Sequence, residues 1–127
     1  MKLIILAAGV GSRLGSLTSK EPKPLLQIGN ITLIERLIKQ FEKHNVRDIN
    51  VVIGYKGNQI KKRFGNKYNF INYPNFRKTN NLHTLWNAKH LLKGNEDVII
   101  SFADLLLEDK IVKKIILSKK KITLVID

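Results

Sequence analysis

The sequence predicts an α/β protein, a three-layer α/β/α arrangement in which helices cover both faces of a mostly parallel sheet. Apolar runs of about five residues alternate with stretches of helical period, as successive βαβ units do. The runs are rich in Ile, Val and Phe and show little alternation, which indicates strands buried on both faces. The predicted strands are Leu3–Ala7, Ile49–Ile53, Phe70–Tyr73, Val98–Phe102 and Ile122–Ile126.

Helical spacing of apolar residues predicts four helices between these strands. The first is the clearest, because Thr32 and Glu35 stand at capping-box spacing before an apolar face that ends near His44. The others are expected over Gln59–Phe64, from Asn80 or Asn81 to Gly94, and over Ile111–Ile116. The residues expected to face the core from the third helix are Leu82, Leu85, Trp86 and Leu92.

The composition is that of one globular domain. At 127 residues, with 43% hydrophobic and 26% charged residues, the chain is long enough to bury a core of its own. It has no cysteine, which excludes disulfides, thiolate zinc sites and cysteine nucleophiles. The first apolar run, residues 3–8, is too short to span a membrane and no signal peptide is apparent, so a cytoplasmic location is the default expectation.

The formal charge of +13 favours an anionic partner: nucleic acid, a membrane surface or a phosphorylated small molecule. Many lysines fall at helix-surface spacing, which is typical of a solvated surface. The sequence has no arginine-glycine repeats and no basic strands studded with aromatic residues, which disfavours nucleic acid. A nucleic-acid binder would instead show steeply salt-dependent binding to any DNA or RNA.

The segment from residue 8 to residue 25 follows the first strand and has the composition of a phosphate-binding loop. In a parallel sheet, ligands bind beyond the carboxyl ends of the strands. Gly9 and Gly11 let the backbone approach a ligand and direct N–H groups at phosphate oxygens. Arg13 adds a planar, permanently charged group, and Lys23 adds a point charge between two prolines. This pattern favours a polyphosphate ligand.

The sequence does not match the consensus motifs of two common phosphate-binding loops. The dinucleotide fingerprint G-x-G-x-x-G needs a glycine at position 14, which is Leu14, and the string G-x-x-x-x-G-K-[ST] does not occur. A surface turn whose glycines merely permit bends is the structural alternative. The spaced cations and the position directly after the first strand argue against that alternative.

The same segment resembles a family signature, that of the nucleotidyltransferases or pyrophosphorylases that join an NTP to a phosphorylated sugar or alcohol. The matching residues are LAAGVGSRL at 6–14, Thr18, and PKPLL at 22–26. The segments VIGY at 52–55 and TNNLHTL at 79–85 are most similar to the phosphocholine cytidylyltransferase-like branch of bacterial surface-polymer biosynthesis. The resemblance implies a Rossmann-like fold of the nucleotide-diphospho-sugar transferase type. It covers the N-terminal, nucleotide-binding half of such enzymes, so the domain at residues 1–127 is expected to stop before the acceptor-binding part.

The resemblance implies nucleotide contacts along the loop. The backbone of Leu6, Ala8 and Gly9 is expected to line the base. Gly11 and Arg13 are expected to hold the β- and γ-phosphates. A further contact is expected from Asn81, although Asn80 or Asn81 is equally explained as a helix N-cap.

The resemblance also implies the catalytic groups. Lys23 is expected to bridge the α-phosphate and the incoming phosphate, with Arg13 as the second catalytic cation. Asp104, two residues beyond a predicted strand, corresponds to the family's magnesium-binding aspartate, and a carboxylate is a ligand that Mg²⁺ prefers. In the family, a glycine precedes this aspartate, whereas Ala103 precedes Asp104 in this sequence. An aspartate capping the following turn is the alternative, and no residue is assigned as a second metal ligand.

The implied reaction is Mg²⁺-dependent nucleotidyl transfer from an NTP, expected to be CTP, to phosphocholine or a similar phosphorylated small molecule. A sugar-1-phosphate nucleotidyltransferase using UTP, dTTP, CTP or GTP is the alternative within this class. A nucleotide-binding module without catalysis is the alternative from another class. The sequence does not determine the oligomeric state, and it is compatible with a homo-oligomer.

Overall fold

A computed structural model describes residues 1–77 and 80–125 of the chain. Its strands form a four-stranded sheet and a two-stranded hairpin. The strands are β1 Lys2–Ala7, β2 Gln27–Ile28, β3 Ile31–Thr32, β4 Asp48–Ile53, β5 Asn69–Asn72 and β6 Val98–Phe102. The helices are α1 Leu17–Lys20, α2 Leu33–Lys43, α3 Gly57–Phe64, α4 Asn81–Asn87 and α5 Asp109–Ile116. Short 3₁₀ turns lie at Ser12–Leu14, Lys23–Leu25 and Lys89–Leu92.

The four-stranded sheet is parallel throughout, and β1 lies inside it. The strand order is β5-β4-β1-β6, and β1 pairs with β4 on one side and with β6 on the other. The antiparallel hairpin β2–β3 stands apart from this sheet and leads directly into α2. The prediction of a mostly parallel sheet is therefore confirmed.

Two hydrophobic clusters cover the two faces of the sheet. Alternate residues of β1 project into different clusters: Leu3 and Ile5 into the first, Ile4 and Leu6 into the second. The first cluster also includes apolar residues of α2, α3 and α5, and the second includes Leu85 and the residue that follows α4. This confirms the predicted α/β/α layers, and residues 3–7 of β1 and 49–53 of β4 are buried as predicted. The prediction of burial on both faces is wrong for β6, where Ile100 and Phe102 are 46% and 42% exposed, because this strand pairs on one side only in the described part of the chain.

Helix α2 begins as the capping-box spacing predicts. The Glu35 backbone N–H donates to the Thr32 hydroxyl oxygen at 3.3 Å, and the Thr32 N–H donates to the Glu35 carboxylate at 3.0 Å. The helix has 11 residues, and its inward face is fully buried. Across residues 1–77 and 80–125, every helix is too short or too polar to cross a bilayer.

The predicted strand Ile122–Ile126 is wrong over the part that the structure describes. Residues 122–125 are irregular, with Ile122 and Leu124 79% and 82% exposed, and Ile126 lies outside the described residues. A β-branched, apolar run has strand propensity, but a strand needs a neighbour to receive its hydrogen bonds and side chains. The described part of the sheet offers this segment no such pairing.

The inward face predicted for the third helix is also wrong in part. Leu82 and Trp86 are 70% and 64% exposed, and Leu92 is exposed as well. Helix α4 ends at Asn87, so the chain turns before Leu92, and the buried positions are Thr84 and Ala88, four residues apart. Only Leu85 of the predicted set packs against the core.

We expect the charge of Glu35 to make the fold sensitive to acid. Burial alone would raise the pKa of Glu35, but hydrogen bonds from Arg63 and Thr32 outweigh it and lower the pKa to about 2. A pKa below its unfolded value stabilises the fold above about pH 4.5, and this stabilisation is lost as the pH falls toward 2. Glu35→Gln should lower the free energy of unfolding at pH 7 by about 1 kcal/mol.

The test is urea unfolding of both proteins at pH 7, 5 and 3. The difference between wild type and Glu35→Gln should be nearly the same at pH 7 and pH 5 and should shrink at pH 3, which lies between the unfolded and folded pKa values of Glu35. Glu108→Gln is the matched control, because that carboxylate is 70% exposed and should matter by less than about 0.5 kcal/mol. A Glu35→Gln deficit that stays constant down to pH 3 would contradict the explanation.

Candidate active site

The candidate site lies at the carboxyl edge of the sheet, beside β1 and β6. From β1 the chain proceeds outward to β4 and β5, and then returns to the other side of β1 to form β6. This reversal creates a crevice between the loops that follow β1 and β6, where open α/β sheets bind their ligands. The segment of residues 8–25 and Asp104 both border that crevice.

The segment of residues 8–25, called here the glycine-rich loop, is stabilised by contacts between its own residues. Gly11 adopts φ +69° and its carbonyl oxygen accepts from the Leu14 N–H at 2.9 Å. The Thr18 side chain is buried, and its hydroxyl lies 3.4 Å from the Gly11 carbonyl oxygen and 3.3 Å from that of Gly15. A Cβ on Gly11 would lie 3.2 Å from Thr18 Cγ2 and 3.3 Å from Lys23 Cβ. The positive φ and these two close neighbours together favour glycine at position 11.

Lys23 and Asp104 form an ion pair across the crevice. The Lys23 ammonium donates to Asp104 Oδ2, although the two residues are 81 positions apart in the chain. Each side chain is 35% exposed, so the pair remains accessible to a ligand. Lys23 opens the 3₁₀ turn after Pro22, and the Ala103 N–H donates to the Leu6 carbonyl oxygen at 3.2 Å, which fixes the backbone just before Asp104.

The donors at Asp104 are suited to magnesium. Within residues 1–77 and 80–125, no group of three or more His, Cys, Asp or Glu side chains could hold a metal ion. Asp104 contributes one carboxylate to this crevice, and a carboxylate is a hard oxygen ligand. Mg²⁺ is usually bound by one or two carboxylates, with water and substrate phosphates completing its coordination shell. The residues present fit that pattern.

The remaining predicted contacts lie at several places around this edge. Leu6 and Ala8 are buried, with their carbonyl oxygens accepting from the N–H groups of Ala103 and Tyr55, whereas Gly9 and Arg13 are exposed. Asn81 is the exposed first residue of α4. Its neighbour Asn80 is the N-cap, with Oδ1 accepting from Leu82 N at 3.1 Å and His83 N at 3.3 Å. The capping explanation therefore applies to Asn80.

The turn between β4 and α3 contacts the loop in a way that the sequence did not reveal. Gly54 is close to the first strand's end, since a Cβ there would lie 2.8 Å from the Ala8 carbonyl oxygen. The Tyr55 hydroxyl donates to the Thr18 carbonyl oxygen at 3.0 Å, and its ring meets Phe76 edge-on at 6.2 Å. Tyr55 thus has a packing role. Lys56 and Gln59 also donate to this loop.

The fold and this site define a class. A parallel α/β sheet with a glycine-rich loop, a loop lysine and an aspartate after the neighbouring strand is the arrangement of a nucleotidyltransferase domain. The chain belongs to the family of MobA-like NTP transferase domains, whose family model matches residues 3–121.

The relatives of the chain include cytidylyltransferases. The CTP:phosphoglutamine cytidylyltransferase of Campylobacter jejuni is 37% identical over 135 residues, an alignment that covers 100% of this chain and 53% of the relative. The choline-phosphate cytidylyltransferase of Streptococcus pneumoniae is 35% identical over 99 residues, covering 75% of this chain and 42% of the relative. The chain therefore spans about half the length of the curated relatives it matches.

A solved structure supports the same assignment. The CTP:phosphocholine cytidylyltransferase of Streptococcus pneumoniae has a TM-score of 0.69 to this chain at 30% identity, covering 81% of this chain and 44% of that one. The resemblance to the nucleotidyltransferases, with a cytidylyltransferase-like branch, is confirmed, and so is the Rossmann-like α/β fold.

We expect Gly11→Ala to disturb the loop more than a comparable change elsewhere. Gly29→Ala is the matched control, because Gly29 has φ +65° but no atom within 4 Å of a Cβ. Both variants force alanine into the left-handed region, at a cost of about 1–2 kcal/mol. Gly11→Ala additionally pushes against Thr18 and Lys23, which should add about 1 kcal/mol.

Thermal unfolding and limited trypsin digestion check this expectation. Gly11→Ala should unfold at a lower temperature than Gly29→Ala. It should also be cleaved faster after Lys20, which lies in the disturbed loop. Equal stability and equal cleavage of the two variants would show that the close contacts of Gly11 with Thr18 and Lys23 do not exclude a Cβ.

Proposed function

We propose that this protein carries the nucleotide-binding site of a cytidylyltransferase, which transfers a nucleotidyl group from CTP to a phosphorylated small molecule and releases pyrophosphate. The observation that carries the proposal is the Lys23–Asp104 ion pair, which lies beside a glycine-rich loop at the reversal of strand order. The cytidylyltransferases among its relatives support CTP as the donor.

The reaction needs positioning and positive charge. An oxygen of the acceptor's phosphate attacks the α-phosphorus of CTP, a new P–O bond forms, and the bond to the β-phosphate oxygen breaks so that pyrophosphate leaves. Lys23 stabilises the negative charge shared by the α-phosphate and the attacking phosphate. The exposed guanidinium of Arg13 serves the leaving pyrophosphate, to which it can donate two parallel hydrogen bonds.

Asp104 is the residue that would hold magnesium. A bound Mg²⁺ supplies charge neutralisation at the phosphate oxygens. In this structure the Asp104 carboxylate is paired with the Lys23 ammonium. A metal cation at Asp104 and a phosphate at Lys23 would replace the two halves of that pair together, so each charge keeps an opposite partner. Metal binding at Asp104 would thereby free the Lys23 ammonium to contact a phosphate.

The proposed acceptor is phosphocholine or a similar phosphorylated small molecule. The proposal draws on relatives named for phosphoglutamine and choline phosphate. The chain spans about half the length of these relatives, so a longer form can add groups that contact the acceptor. Binding of the nucleotide and turnover are therefore measured separately.

Pyrophosphate release across a matrix of NTPs and acceptors tests the substrate class. We expect activity with CTP and Mg²⁺ and with phosphocholine or a related phosphorylated small molecule. The assay uses the 127-residue chain and a chain extended by any coding sequence that follows Asp127. Activity with sugar 1-phosphates alone would select the sugar-1-phosphate alternative. Calorimetric binding of CTP without turnover in either form would select a non-catalytic nucleotide-binding module.

Substitution of the ion pair tests the mechanism. Lys23→Ala and Asp104→Ala should each lower turnover by about a hundredfold or more, because each removes charge from the reacting centre. Lys39→Ala is the matched control, since this exposed lysine lies on α2 away from the crevice. Near-normal turnover in either ion-pair variant would show that its proposed role is wrong.

A further inference from the structure

Three neighbouring side chains donate to three consecutive carbonyl groups of the glycine-rich loop. The Tyr55 hydroxyl lies 3.0 Å from the Thr18 oxygen, Gln59 Nε2 lies 3.2 Å from the Lys20 oxygen, and Lys56 Nζ donates to the Ser19 oxygen. We call Tyr55, Lys56 and Gln59 the carbonyl clamp. They lie in the β4–α3 turn and the first turn of α3, whereas their acceptors close the short helix α1.

The acceptors of the clamp are groups that need a partner. The last carbonyl groups of any α-helix have no hydrogen-bond donor within the helix and carry partial negative charge. Helix α1 has only four residues, so such carbonyls are a large share of its backbone. A cationic donor from Lys56 is well matched to this end of a helix. The clamp therefore fixes a segment with few hydrogen bonds of its own.

The backbone of Lys56 indicates that its side chain is needed. Lys56 adopts φ 50° and ψ 29°, a left-handed conformation that costs a residue with a Cβ more than it costs glycine. Such a conformation persists where the surroundings determine it. Gly57 follows directly, yet the left-handed position itself is filled by lysine. The hydrogen bond from Lys56 Nζ to the loop explains why lysine, and not glycine, occupies this position.

The clamp reaches the phosphate-binding part of the loop through Thr18. The backbone oxygen of Thr18 accepts from Tyr55, and its hydroxyl lies within hydrogen-bonding distance of the carbonyl oxygens of Gly11 and Gly15. Thr18 is buried and contacts both groups, so it connects the clamp to Gly11 and Gly15. A loop held in one conformation loses less entropy when it binds a ligand.

We propose that Tyr55, Lys56 and Gln59 are positioning residues that hold the glycine-rich loop in the conformation that receives the triphosphate of CTP. This inference rests on the proposed function, because it takes the loop to be the triphosphate site. Without the clamp, only a fraction of molecules has the competent loop, and the apparent dissociation constant rises by the inverse of that fraction. The clamp residues donate to backbone oxygens of the loop, so they act on the bound triphosphate through the loop.

The test compares CTP binding by calorimetry in variants of the 127-residue chain. Tyr55→Phe and Lys56→Met should each weaken CTP binding about three- to tenfold, the effect of losing one hydrogen bond that orders the site. Lys56→Arg keeps a cationic donor and should stay within about twofold of wild type. Lys61→Met, at an exposed lysine of α3, is the matched control and should bind like wild type.

Lys56→Gly separates positioning from stability. Glycine relieves the left-handed backbone, so the melting temperature should stay equal to that of wild type or rise, while CTP binding weakens as in Lys56→Met. Amide hydrogen exchange of the peptide 11–20 should be faster in the clamp variants than in the control. A lower melting temperature with unchanged exchange and unchanged CTP binding would show that Lys56 is merely structural and would overturn the proposal.

The two proposals fail in different ways. If wild type binds CTP and all clamp variants bind it equally well, the positioning role is wrong while the proposed function stands. If neither the 127-residue chain nor the extended chain binds any NTP, the proposed function is wrong, and with it the role in receiving a triphosphate. In that case the exchange rates of peptide 11–20 still show whether the clamp holds the loop.

Discussion

The burial of β1 on both faces and both edges is the constraint on which the rest of the structure depends. It pairs with β4 and β6, and its alternate side chains enter two separate hydrophobic clusters. Because both edges and both faces of β1 are covered, this strand can present polar groups to a ligand only through the loop that follows its end. The glycine-rich loop and the first residues after β6 therefore share one crevice, and Lys23 reaches Asp104 there.

The sequence predicted those parts of the fold whose signals are local or strongly periodic. The capping box at Thr32 and Glu35 fixed the start of α2, and the continuous apolar runs located the four strands of the sheet. The faces of α4 were predicted less well, because its apolar residues outnumber its buried positions. Trp86 is exposed, although its size made it the natural core residue, and the ammonium of Lys89 lies 4.4 Å from the centre of its ring.

The candidate site was predictable in its residue types but not in its contacts. Gly11, Lys23 and Asp104 were selected by motif and by strand position, and the structure brings the last two together. The donors at Tyr55, Lys56 and Gln59 carried no such signal, because they act on backbone carbonyl groups. Any side chain with a donor can make such contacts, so residue type alone does not reveal them. Neither does it reveal a left-handed lysine.

The outer edge of β6 has a consequence for the behaviour of the protein in solution. Ile100 and Phe102 are 46% and 42% exposed, and within residues 1–77 and 80–125 this strand pairs only with β1. An open strand edge beside apolar side chains favours pairing between molecules. The charge of +13 opposes such pairing by mutual repulsion, and that repulsion weakens as salt screens it. Added salt therefore favours association of this chain through β6, and dilute buffers oppose it.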